Sequence, residues 1–431
     1  MTDDVHDPAP DAGHGASTRR TFLRRASVAA AGLTIPGALA ACGSTTPVAS
    51  GGGGSAALGP GGLPLARPDH PVTLPIRAGN KAIASGLKPE KGPLQFYNWI
   101  SYINPDVVKD FERKYKVGVQ ISTFTTMDEA VAKLTSGQVG FDVFVPELFN
   151  LEQLVAGNIL QPLNHSYIPN LRRNVWPSLN NPWYDVGARY TVPYTIYTTG
   201  IGWRTDKLPG FNPAKLANPW SALWVQGPKI VGKVGLLDDQ HDGLTMGLLH
   251  KGFTDPNTEV PSQLMAAQKS LQQLVSTVNL KFDTNEYQAL ADGSLWLHQG
   301  WSGDIASTPA YAPKGTPASA FAYWWPPDGQ GPIDNDMFGV LRGARNPVLA
   351  HLFLNHLLDV EEVFKNFSYN YYQQPLNAMT PEAVVARNLV VPNLRNTLIR
   401  EDQFRHGLVQ GPLSQRGQTL WENAWAAVKS S

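Results

Sequence analysis

Leu94-Gln95-Phe96-Tyr97-Asn98-Trp99 reads as a buried strand, and Asn104-Pro105 just after it reads as a helix start with proline at the first helical position. Val107, Val108, Phe111 and Tyr115 then recur on one apolar helical face. Val117 to Phe124 returns as a strand, Met127 to Thr135 as a helix, Phe141-Asp142-Val143-Phe144-Val145-Pro146 as a short strand, and Leu148 to Val155 as a helix. Strands alternating with helices predict an α/β fold built on a mainly parallel sheet covered on both faces.

Further along, Gly200-Ile201-Gly202-Trp203, Lys233 to Leu237 and Phe338 to Arg342 continue the alternation, and helices dominate from Val348. The stretch from Pro93 to Ser431 carries all 12 tryptophans of the 431-residue chain, enough material for two ordinary domains. Lys plus Arg number 35 and so do Asp plus Glu, so no basic excess points to nucleic acid. There is no Gly-rich nucleotide loop ending in Lys-Ser/Thr and no zinc-like spacing, so neither cofactor nor metal is expected. His241, His250 and His298 stand isolated and read as surface or core residues.

Upstream of the body, Thr18-Arg19-Arg20-Thr21-Phe22-Leu23-Arg24 precedes a weakly apolar run from Ala26 to Ala41 and then Cys42. A basic segment, a short apolar segment and small residues mark an export signal, here resembling the twin-arginine type. Leu39-Ala40-Ala41-Cys42-Gly43 resembles a lipobox, and Cys42 is the only cysteine of the chain. Residues 1–41 therefore read as a lipoprotein signal peptide. Residues 42–92, with Gly51-Gly52-Gly53-Gly54-Ser55 and several prolines, read as the lipidated cysteine and a flexible tether. The expected location is the extracytoplasmic face of the cell membrane.

Several blocks of the body resemble the spermidine/putrescine-binding proteins of bacterial ABC importers. They are Phe96-Tyr97-Asn98-Trp99-Ile100-Ser101-Tyr102, Phe141 to Pro146, Val192-Pro193-Tyr194 with Thr199-Gly200-Ile201-Gly202, Leu236-Leu237-Asp238-Asp239, Gly300-Trp301-Ser302-Gly303-Asp304, and Tyr372-Gln373-Gln374-Pro375-Leu376. The resemblance implies a two-lobe, type II periplasmic-binding fold that closes on ligand like a hinged clamp. Lobe one would comprise residues 93–198 and 333–376, and lobe two residues 199–332 and 377–431. It further implies a monomer that hands a polyamine to permease subunits and is not an enzyme.

A polyamine needs spaced carboxylates for its ammonium groups and aromatic faces for its methylenes. Asp239 and Asp242 stand three apart where a strand ends and a helix begins, a pattern that suits amine binding and helix capping alike. The resemblance assigns an amine-gripping role to that pair, a stacking ring to Trp301, a carboxylate to Asp304, cleft walls to Trp99, Tyr102 and Tyr372, and a further amine contact to Asp336. Three positions depart from the family pattern: Glu147 for serine, Phe149 for tyrosine, and Asp334 for an aromatic ring. They make the expected site more acidic and less aromatic. Three alternatives stay open: another cationic solute in the same fold, ferric iron held through the adjacent Tyr371-Tyr372, and a glycoside hydrolase using paired carboxylates.

Overall fold

The computed structural model describes residues 58–59, 61–136 and 140–431. The export signal, Cys42 and the Gly51–Ser55 run lie outside the described residues.

Strand β1 (Leu94–Trp99) is followed by the helix Pro105–Tyr115, whose cap Asn104 accepts the Asp106 N–H at 2.9 Å and which buries Val107, Val108 and Phe111. The chain returns as β2 (Val119–Phe124), parallel to β1, and after the helix Met127–Thr135 as β3 (Val143–Phe144), parallel to β1 on its other side. A long strand, β4 (Thr191–Arg204), then leads into β5 (Val234–Leu237), β6 (Lys281–Asp283), β7 (Leu297–Trp301) and β8 (Phe321–Trp324). β9 (Pro332–Val340) leads back to the first half, and β10 (Leu408–Val409) pairs with it. The strand order is β2-β1-β3-β9-β4-β7-β5-β6, with β10 on β9 and β8 on β4.

Partner exchange along β4 divides the structure. Thr191–Thr198 pair with β9, whereas Thr199–Arg204 pair with β7 and β8. This is the two-lobe α/β fold, with β4 carrying the chain out of one lobe and β9 carrying it back. Because these strands run in opposite directions, β3–β9, β4–β9, β4–β7 and β4–β8 are antiparallel. The mainly parallel sheet expected from the alternation is thus mixed: parallel pairing persists around β1 and β5, where helical crossovers join the strands, and at β9–β10.

In the first lobe the Phe96 ring meets Phe338 and Phe353 at centroid distances of 6.1 and 5.3 Å. In the second, His298 is fully buried against Gly235, where an added Cβ would lie 1.9 Å from the imidazole. His298 is thus a core histidine.

Residues 61–92 correct the expected tether. Ala66, Val72 and Leu74 are buried, Val72 exchanges backbone hydrogen bonds with Trp183 and Val186, and Asn80 donates to Asn158 and Leu160. Glu90 accepts the N–H groups of Val348 and Leu349 at the start of the helix Pro347–His356. Scattered apolar residues among the prolines suffice here because an existing surface receives them; no core of their own is needed.

Candidate functional site

The backbone turns sharply after β1, with Ser101 at φ 56°, and this brings Tyr102 back beneath β4 and β9. The Tyr102 hydroxyl donates to Asp336 on β9 and lies 2.6 Å from the Thr195 hydroxyl of β4, which itself donates to Asp336 at 3.1 Å. Burial pushes the Asp336 carboxyl up to about 6, against the opposing pull of those two hydroxyls. The Tyr102 ring meets Tyr372 edge-on at 5.6 Å, and Tyr372 meets Tyr197 at 5.9 Å. The Tyr372 hydroxyl donates to Asp304 at 3.0 Å. Gly303 makes this possible, since a Cβ there would stand 2.6 Å from the Tyr372 ring.

On the opposite side, β5 ends at Leu237 and the helix Gln240–His250 begins, with Asp239 as its cap accepting the Asp242 N–H at 2.9 Å. The capping reading of Asp239 is therefore met. Asp242 does something else. Its carboxylate accepts the indole N–H of Trp301 at 2.7 Å and the Gln410 amide at 3.1 Å. Burial first and Asp239 second push the Asp242 carboxyl up to about 7, although hydrogen bonds from Trp301, Thr199 and Gln410 favour its charge.

Trp301 is the last residue of β7 and is only partly buried, and Asp304 lies in the first turn of the helix Ser302–Tyr311 without capping it. The Trp301 backbone N–H donates to Glu286 at 3.0 Å. Glu286 is fully buried, its Oε2 has no hydrogen-bond partner among the described residues, and burial followed by the Asp304 charge holds its carboxyl well above the usual range. Sequence reasoning missed it, because an acid opening the helix Glu286–Asp292 looks like an ordinary complement to the helix dipole.

Asp334 lies opposite Tyr197 in the β4–β9 register, buried, its carboxyl raised by burial and then by Asp336, Asp242 and Asp239. The Tyr197 phenol is raised by burial and then by Asp334, Asp336, Glu147 and Asp242, so acids of both lobes converge around it. Tyr197 was also missed; the only signal was its period-two position on a strand. Phe149 stacks on His241 at 5.4 Å and 7°, and His241 in turn on Trp421 at 5.2 Å. His241 thereby joins helix starts of both lobes. Trp99 packs on Phe124 at 4.5 Å while remaining partly exposed.

Among the described residues, no lysine or arginine forms an ion pair with Asp242, Glu286, Asp334 or Asp336. Arg204, a conceivable partner for Asp334, is engaged with Asp206. No three His, Cys, Asp or Glu side chains among the described residues converge as a metal site, and Tyr371 is the left-handed cap of the helix Val360–Asn370.

Residues 106–384 match the family described as bacterial extracellular solute-binding protein. The putrescine-binding periplasmic protein SpuD of Pseudomonas aeruginosa is 28% identical over 351 residues, covering 78% of this chain and 92% of its own. PotF of Escherichia coli, also a putrescine-binding periplasmic protein, is 27% identical over 353 residues, covering 80% and 93%. The spermidine/putrescine ABC transporter substrate-binding protein PotD of Streptococcus pneumoniae superposes with a TM-score of 0.65 at 19% identity, covering 78% of this chain and 98% of that one, which shows the shared fold.

Proposed function

The chain belongs to the bacterial extracellular solute-binding protein family, and we propose that its solute is a polyamine, which it captures outside the cytoplasm and delivers to the permease of an ABC importer. As a solute-binding protein it is not an enzyme. The observation that carries the ligand assignment is the set of buried acids Asp242, Asp334 and Asp336, none of which forms an ion pair with a lysine or arginine among the described residues. Buried like charges repel unless cations compensate them, and the acids lie between aromatic faces that suit methylene stems. The putrescine-binding functions of SpuD and PotF agree with this reading.

In this reading Asp304 and Asp336, with Tyr102 and Tyr372, hold one end of the ligand. Asp242, Trp301 and Asp334, flanked by Glu147, Asp239 and Phe149, hold the other, and Trp99 walls the cleft. Lobe one comprises residues 93–198 and 333–376, and lobe two residues 199–332 and 377–431. The protein acts as a monomer, exported by a twin-arginine signal and anchored through lipid on Cys42, where each buried methylene adds about 0.8 kcal/mol.

Mass spectrometry of small molecules released from the purified protein tests the ligand. Putrescine, spermidine or a related amine is expected in near-stoichiometric amount; an anionic or neutral solute there would overturn the proposal. Cys42→Ala should move the protein from membranes to the soluble fraction, and retention on washed membranes would remove the anchor.

A further inference from the structure

The segment that precedes β1 is bound to the body at many points, and nearly all of them belong to lobe one. Asn80 reaches Asn158 and Leu160, Asn164 donates to Ile83, the Tyr167 hydroxyl bridges Leu87 and Ala84, and Arg189 and Tyr190 donate to Leu74 and Pro75. The Ala66 N–H donates to Glu152 at 3.1 Å. Gly59 closes over the same carboxylate, where an added Cβ would stand 2.4 Å from Oε2.

Arg67 departs from this pattern. Its guanidinium donates to the Ala66 carbonyl at 2.7 Å and to the Pro412 carbonyl at 2.7 Å, and it lies against Gly411, where a Cβ would come within 2.8 Å of it. The Gly411–Ser414 segment is tied to lobe two: the Gly411 N–H donates to Asn257, and Ser414, cap of the helix Gln415–Lys429, donates to Glu259 through backbone and hydroxyl. Asp255 and Glu259 of lobe two and Glu152 of lobe one all lie within electrostatic range of Arg67. One side chain on a strap carried by lobe one therefore reaches across to lobe two, outside the ligand site.

We propose that residues 61–92 are an interlobe strap whose Arg67 latches the lobes in the closed arrangement, biasing the protein toward closure before ligand arrives and slowing ligand release. The proposal rests on the two-lobe boundaries and the polyamine reading given above. A contact made only when the lobes are closed shifts the open–closed equilibrium by its own free energy, whatever the ligand.

The test uses the full chain in a Cys42→Ala background, with Arg67→Gln and, from the other side of the contact, Gly411→Ala. Small-angle scattering without ligand should give a larger radius of gyration for each variant than for the parent, and all three should converge at saturating spermidine. Stopped-flow tryptophan fluorescence should show spermidine leaving each variant about fivefold faster or more. An unchanged ligand-free radius in both variants overturns the latch. Failure of the parent to bind spermidine would sink the polyamine reading instead, while the ligand-free radii would still decide the latch.

Discussion

The indole N–H of Trp301 donates to the Asp242 carboxylate at 2.7 Å, which joins the end of β7 to the first turn of the helix after β5. A ring that would cover methylenes and a carboxylate that would hold an ammonium are therefore one rigid unit. Asp242 also accepts from Gln410, just after β10, so its geometry is fixed from three elements before any ligand arrives. Such preorganisation lowers the ordering cost of binding.

Raised carboxyl pKa values set the sign of the pH dependence. Asp242 at about 7 and Asp336 at about 6 hold protons in the folded protein that they lose near 4 when unfolded. Native protein then binds more protons than unfolded protein between about pH 4 and 7, so ligand-free stability should fall as pH rises through that window. Each shifted unit is worth about 1.4 kcal/mol. Ligand affinity should run the opposite way, rising from pH 5.5 to 8 as the acids ionise. Thermal melts with and without spermidine across this range check both signs; ligand-free stability that climbs toward pH 8 would contradict the assignment.

Asp304→Asn keeps the shape of the Tyr372 acceptor but removes its charge. Loss of a charged partner in a desolvated site typically costs about 2–5 kcal/mol, whereas Tyr372→Phe, which removes only the 3.0 Å hydrogen bond to Asp304, should cost about 1 kcal/mol. Calorimetric dissociation constants for both variants measure the difference. Equal losses would mean that Asp304 serves Tyr372 and not the ligand.

Glu286, fully buried, accepts the Trp301 N–H at 3.0 Å and is expected to position Trp301 without contacting ligand. Glu286→Gln, which can still accept the Trp301 N–H, should leave spermidine affinity within about twofold. Glu286→Ala leaves that N–H unpaired and should cost about 1–3 kcal/mol of stability in denaturant titrations. A tenfold or greater loss of affinity in Glu286→Gln would make Glu286 a charged ligand contact.

Much of this was legible in the sequence because period and punctuation are local. Asn104-Pro105 announced its helix, and Leu94–Trp99 its strand, correctly. The mixed sheet was not legible, since the direction of β4 relative to β9 depends on contacts more than a hundred residues apart. Trp301 and Asp304 entered the candidate site through the resemblance, and the structure sets them against Asp242 and Tyr372. Their supports Glu286, Tyr197 and Gln410 were not found, because a buried acid at a helix start and a strand tyrosine look ordinary until folding surrounds them with other charges. The segment 61–92 misled because its composition resembles a linker. Composition reports what a segment can bury alone, not what a neighbouring surface offers it.

Recognition of multiply charged amines through buried carboxylates is the proposed function of the site. Its most direct test is calorimetric titration of putrescine, spermidine and spermine into the ligand-free protein at one fixed ionic strength and pH 8. Saturable one-to-one binding is expected, tighter for spermidine or spermine than for putrescine, because Asp242, Asp334 and Asp336 offer more acidic groups than the two ammonium groups of a diamine can pair. No binding of any of the three amines at millimolar concentration would contradict the account.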